Sequence, residues 1–294
     1  MLIACLTGCG GDDGGGGAER GTLALDFQPN AVHAGIYGAD NLRIRVPSAS
    51  TDSLKLLAAR RADMSVVDIH DLGLARESGS DIVGVGALVQ RPLAAVIARA
   101  ELRRPRDLEG RRVGVTGLPS DDAVLRAVVE NDGGHFERVR RVTIGFSAVS
   151  SLIAGRVDAV VSFWNAEGVA LRERGVDTRE FRVDDYGAPR YPELVLAVTR
   201  ETLDERSDLV DSMLADLRKG TRAALRNRAA TIDELVRVSG ADEPLLRAQF
   251  AAVAPALTPP LRLDGDALEG WARFDARFGI LRKSPDVLQA FRLP

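Results

Sequence analysis

Leu25-Asp26-Phe27-Gln28-Pro29-Asn30-Ala31-Val32-His33-Ala34-Gly35-Ile36-Tyr37 is the stretch from which the architecture can be read outward. Leu23, Leu25 and Phe27 are apolar at every second position, the period of a strand over residues 22–27, and Pro29-Asn30 turns the chain out of it. Further strands are predicted at 42–46, 64–67, 82–88, 93–98, 112–116, 139–144, 159–162 and 194–199. Between them the pattern changes to helical spacing. Leu54, Leu57 and Ala58 stand at i, i+3 and i+4 in a helix over 50–60, and helices follow at 69–77, 121–130, 147–154 and 167–174. From residue 206 onward the chain is almost wholly helical, over 206–228, 231–238, 243–253 and 266–278. Strands alternating with helices predict an α/β fold with parallel sheets and a helical C-terminal portion packed around them.

Two βα units, at 110–116 and 156–162 with their helices, predict a smaller second sheet. Polar, proline-containing stretches at 98–105 and 184–192 bracket it. A chain that leaves one lobe, builds another and returns crosses twice, which makes a hinge. The expected division is 21–98 with 190–294 for the first lobe and 99–189 for the second, with 1–20 as a leading segment.

Composition narrows the chemistry. The 294 residues carry a net charge of −3, so no basic surplus points to nucleic acid. Cys5 and Cys9 are the sole cysteines, which removes disulfides, cysteine zinc sites and a cysteine nucleophile from the body. The histidines His33, His70 and His135 form no HExxH pair. There is no GxxxxGK[ST] loop, no GxGxxG after the first strand and no GxSxG elbow.

The quoted stretch resembles the first strand and loop of the thiamine-precursor-binding proteins. These form the NMT1/THI5-like group of periplasmic binding proteins for ABC importers. The shared pattern is an aromatic, one variable residue, Pro-Asn, then His-x-Gly-hydrophobic-Tyr. Ala62-Asp63-Met64-Ser65-Val66-Val67-Asp68, Ala87-Leu88-Val89-Gln90-Arg91-Pro92, Asp107-Leu108-Glu109-Gly110 and Asp184-Asp185-Tyr186-Gly187-Ala188-Pro189-Arg190-Tyr191-Pro192 continue it in order. The resemblance spans roughly residues 22–200 and implies a two-lobed periplasmic-binding-protein fold of type II. One departure stands out: Gly38-Ala39-Asp40 alone separates Tyr37 from the second strand, where the group carries a longer first helix.

Under that resemblance the lobes close on a small polar aromatic ligand, a thiamine-type pyrimidine or a related heteroaromatic such as a flavin. Sulfonate- or nitrate-like anions are the alternative, because distant relatives hold anions in the same cleft. Phe27, Tyr37, Trp164, Tyr186 and Tyr191 are candidate stacking or edge groups, Phe27 and Tyr37 being equally readable as core. Trp164 follows a strand, at the end that faces ligands in α/β sheets. Asn30 and His33 occupy the loop after the first strand, where an amide can donate and accept at once. Asp68 either accepts from an exocyclic amine or caps the next helix, and Ser120 either caps its helix or offers that helix start to a ligand. Asn165 and Glu167 complete the candidate set. No metal, cofactor or covalent step is expected. A pyrimidine synthase of the same group is the enzyme alternative, but it needs a cysteine-rich iron motif and a lysine for pyridoxal phosphate. The body has no cysteine, and none of Lys55, Lys219 and Lys283 falls at the position of that lysine, which lies nearest Val67.

Leu6-Thr7-Gly8-Cys9 resembles a bacterial lipobox, although only eight residues precede the cysteine. Gly10 to Gly17, glycine-rich and interrupted by Asp12-Asp13, then reads as a tether. The expectation is a monomeric lipoprotein, attached through Cys9 to the outer face of the cell membrane, whose partners are its ligand, an ABC permease and that permease's ATPase.

Overall fold

Two five-stranded sheets organise the chain. The computed structural model describes residues 19–49 and 52–293, so the lipobox and its Cys9 lie outside the described residues. The strands are β1 (Gly21–Ala24), β2 (Leu42–Arg45), β3 (Met64–Asp68), β4 (Ile82–Ala87), β5 (Ala94–Arg99), β6 (Arg112–Val115), β7 (Arg140–Thr143), β8 (Ala159–Phe163), β9 (Thr178–Arg182) and β10 (Leu194–Thr199). The first sheet has the order β2-β1-β3-β10-β4 and the second β7-β6-β8-β5-β9.

Neither sheet is wholly parallel. β1 pairs in parallel with β2 and β3, and β6 with β7 and β8, as βα crossovers require. The strands beside the lobe crossings run the other way. β10 is antiparallel to β3 and β4, and β5 is antiparallel to β8 and β9. This corrects the all-parallel expectation: a chain arriving from the other lobe enters without a crossover helix to reverse it. β9 went unread because Thr178-Arg179-Glu180-Phe181-Arg182 carries one apolar residue and sits on a sheet edge.

The crossings are two extended passages, at residues 88–93 and 187–193. β5 belongs to the second sheet, so the first passage falls before it rather than at residue 98. The passages are tied together. The Glu193 carboxylate accepts from the backbone N–H groups of Leu93 and Ala94 at 2.8 and 3.0 Å, and Arg91 pairs with Asp184 at 2.5 Å.

Helices α1 (Ala34–Tyr37), α2 (Asp52–Ala58) and α3 (Ile69–Glu77) cover the first sheet, and α4 (Pro119–Asn131), α5 (Ala148–Ile153) and α6 (Glu167–Glu173) the second. The C-terminal run is α7 (Arg200–Glu205), α8 (Ser207–Arg226), α9 (Arg228–Ser239), α10 (Glu243–Val253), α11 (Gly265–Arg277) and α12 (Val287–Ala290). Leu209, Val210, Met213, Leu214, Leu217, Gly220, Thr221 and Ala224 make the buried stripe of α8, spaced at the helical period. None of the described helices is long and apolar enough to cross a membrane.

The short first helix packs directly on α8. Its Gly35 and Gly38 lie directly against Gly220 of α8, where a Cβ on Gly220 would sit 2.3 Å from the Gly35 carbonyl oxygen. Two helices that touch backbone to backbone need glycine at the contact.

Candidate functional site

The C-terminal ends of β1, β3, β6 and β8 converge on a cavity between the two sheets, about 1010 Å³ with its mouth included. Phe27, from the turn after β1, meets Phe146, from the loop after β7, edge to face at 4.4 Å between ring centroids. One ring comes from each lobe, so this contact spans the cleft. Ser120 of α4 makes a second bridge, its hydroxyl donating to Asp71 of α3 at 3.2 Å.

Acid dominates the wall. Asp26, Asp68, Asp71, Asp121, Glu167 and Glu193 all line the cavity, and no lysine or arginine is among its described lining residues. Each acid is placed by local structure. His33, fully buried, sets Asp26: its Nε2 stands 2.9 Å from the Asp26 carboxylate, while Nδ1 accepts from the Asn30 N–H at 3.3 Å. Asn30 in turn caps the turn of Ala31–His33, accepting from the Val32 N–H. Asp68 ends β3 and caps α3, accepting from the His70 N–H at 2.8 Å, while it also lines the cavity. Asp121 accepts from the Thr116 hydroxyl and the Gly117 and Leu118 N–H groups.

Burial sets the electrostatics. It drives Asp68 well above the usual carboxylate range, with Glu193 and Asp71 adding repulsion against the opposing pull of His70. Glu193 is raised by burial against His70, its two backbone donors and a hydrogen bond with Asp68. Asp71 is pushed up to about 7 and Asp121 to about 6, both by burial and against their hydrogen bonds. Glu167 is raised by burial, with a smaller contribution from Asp26. Behind this wall His70 shares its Nδ1 with Asp275 at 2.6 Å and its Nε2 with the Tyr191 hydroxyl at 3.0 Å. Burial alone would lower its pKa, but Asp275, then Asp68 and Glu193, carry it up to about 10. Asp68, His70 and Glu193 offer ligand atoms within 4.8 Å of one another. With both ring nitrogens engaged, His70 has no free lone pair for a metal ion.

Of the residues expected from sequence, Phe27, Asn30, Asp68, Ser120 and Glu167 line the cavity. The others lie outside its lining. His33 stands behind Asp26. Tyr37 is half-buried and beside Glu234 and Arg237 of α9. Trp164 is 5% exposed, donates to the Pro92 carbonyl at 3.1 Å and carries Arg182 and Arg91 over its ring at 4.4 and 5.4 Å. It packs under the first crossing rather than facing the cleft. Asn165 is buried beside it. Tyr186 meets the edge of Phe181, and Tyr191 is buried on His70 and Phe274. Asp26, Asp71, Asp121, Glu193 and Phe146 were not anticipated. Asp26 stood inside the decisive stretch, and its place at a strand end was a usable signal. Glu193 and Asp71 had none, because their meeting depends on the crossings.

Three comparisons bear on this geometry. A formylaminopyrimidine-binding protein of Halalkalibacterium halodurans is 31% identical over 249 residues, which is 80% of this chain and 75% of that one. The alkanesulfonate-binding protein SsuA of Xanthomonas axonopodis pv. citri, solved with MOPS, superposes with a TM-score of 0.75 at 19% identity, over 95% of this chain and all of that one. The periplasmic aliphatic sulphonate-binding protein SsuA of Escherichia coli gives 0.73 at 17%, over 93% and 97%. At those identities the sulfonate-binding structures attest the fold, a two-lobed periplasmic-binding-protein architecture. The family model described as NMT1/THI5 like matches residues 32–230, a span that holds His33, both crossings and five of the six cavity carboxylates. The chain belongs to the NMT1/THI5-like family.

Proposed function

We propose that this protein is the extracytoplasmic solute-binding component of an ABC importer, capturing a small amino-substituted heteroaromatic of the thiamine-pyrimidine type between its lobes. The carrying observation is the cavity lining: phenylalanine rings from both lobes above six carboxylates, with no cationic side chain among the described lining residues. Aromatic edges suit a flat ring, and carboxylates accept from exocyclic amines. The same lining opposes a sulfonate or nitrate, which would enter a field of its own sign. The pyrimidine named for the 31%-identical relative supports this choice of ring.

Phe27 and Phe146, which already touch across the cleft, would close the cavity over the captured ligand, and the closed surface would engage the permease. We read the protein as a binder rather than a pyrimidine synthase, since no lysine lines the described cavity wall to hold pyridoxal phosphate. Lipid attachment at Cys9 belongs to this reading as its anchor.

A thermal-shift panel of aminopyrimidines, thiamine, riboflavin and alkanesulfonates tests it. An aminopyrimidine at a hundred times its dissociation constant should stabilise the protein by about 2.7 kcal/mol, and Phe146→Ala should remove most of that shift. A shift with alkanesulfonates and none with aminopyrimidines would overturn the proposal.

A further inference from the structure

Two oxygens in the cavity wall receive no amine, amide or hydroxyl donor. They are Asp71 Oδ1 and Glu193 Oε1, both fully buried, on side chains that are 5% and 0% exposed and that line the cavity; the Glu193 carboxyl hydrogen-bonds Asp68 when one of the two is protonated. Their sister oxygens are committed, Asp71 Oδ2 to Ser120 and Glu193 Oε2 to the Leu93 and Ala94 N–H groups. Asp68 lies at the same end and is repelled by both. A buried carboxylate oxygen without a donor is costly, and several together need positive charge.

The protein supplies little. His70 is the adjacent cation, and it is held by Asp275 and Tyr191. The charged and titratable groups facing this end are Asp68, His70 and Asp71 from β3 and α3, Asp121 from α4, Glu193 and Tyr191 from the second crossing, and Asp275 from α11. The Arg91–Asp184 pair sits at the hinge, its charges matched to each other. Asp26 and Glu167 form a separate acidic pair toward the other lobe.

We propose that the cargo carries a protonated alkylamine beside its ring, seated between Asp71 and Glu193, and that this chain selects the charged amine over neutral analogues of the same ring. The inference rests on the ring-binding reading above and adds the charge of the substituent. In the absence of such a cation burial raises the pKa of both carboxyls, that of Asp71 to about 7, so protons compete with the amine for this end of the cavity. The ammonium therefore enters as protons leave. Affinity for the amine should rise with pH while the carboxyls ionise, and affinity for a neutral analogue should not.

Isothermal titration with two matched pairs tests this: aminomethylpyrimidine against hydroxymethylpyrimidine, and pyridylmethylamine against pyridylmethanol. At about pH 7.5 the amine of each binding pair should be at least about tenfold tighter, and the advantage should shrink toward about pH 5.5. Repeating the titration in buffers of different ionisation enthalpy should show proton release with the amines. Asp71→Asn keeps an acceptor for Ser120 while removing the charge, and it should bring the amine down to the level of its neutral partner. Equal affinity within both pairs would overturn the charge selection and leave ring binding standing. Preference within the pyridyl pair alone, with both pyrimidines silent, would uphold charge selection and overturn the pyrimidine reading. Silence from all four compounds on folded protein would overturn both.

Discussion

At the residue scale, His70 and Asp275 place a charged pair in the interior of the first lobe. Both side chains are fully buried, and each tolerates burial through the other. Asp275→Ala should leave an uncompensated imidazolium and cost about 3 kcal/mol in urea unfolding. A loss under about 1 kcal/mol would show that Tyr191 alone can hold a neutral ring. The same scale explains why some binding candidates were misplaced on reading the chain. Trp164 follows a strand as expected, but its indole N–H finds Pro92 and its ring is covered by two arginines, so packing rather than ligand contact occupies it. His33 was linked to the ligand by resemblance, and the structure gives it the task of aiming Asp26.

At the element scale, the abbreviated first helix is the chief departure from the expected pattern. It did not displace the turn before it: Asn30 still caps and His33 is still bonded on both sides. What holds it is the close approach of α1 to α8. Gly220→Ala would drive a methyl into the Gly35 carbonyl and should cost about 2–3 kcal/mol of stability, read as a lowered melting temperature with the Asn30 turn loosened. An unchanged melting temperature would mean that α1 can lift from α8 without loss. The pairing of Gly35 with Gly220 joins residues far apart in sequence. No local pattern distinguishes such glycines from those of ordinary turns.

For the whole molecule, the ligand-free protein holds protons that its unfolded chain would release. Asp71 and Asp121 rise from 3.8 to about 7 and about 6, so their contribution to stability is full below the unfolded value and is lost as pH rises through the folded ones. His70 acts in the same direction at higher pH, its contribution fading between 6.5 and about 10. Calorimetry should therefore show the melting temperature falling from about pH 6 to about pH 8. A bound amine should flatten that slope by taking the place of the protons on the carboxyls. A melting temperature that rises over this range would mean that the carboxylates are ionised and paired in the free protein.

The chain by itself determined the alternation of strands and helices, two lobes joined by two passages, and the turn that presents Phe27 and Asn30. These depend on residue periodicity and on short-range turn and cap chemistry, which lie within a few positions of each other. Tertiary structure alone decided that the sheets are mixed and that β5 belongs to the second lobe. It also decided that Asp26, Asp68, Asp71, Asp121, Glu167 and Glu193 share one cavity. Strand direction and the meeting of like charges depend on how the two passages return the chain, and pairings separated by a hundred residues leave no local trace.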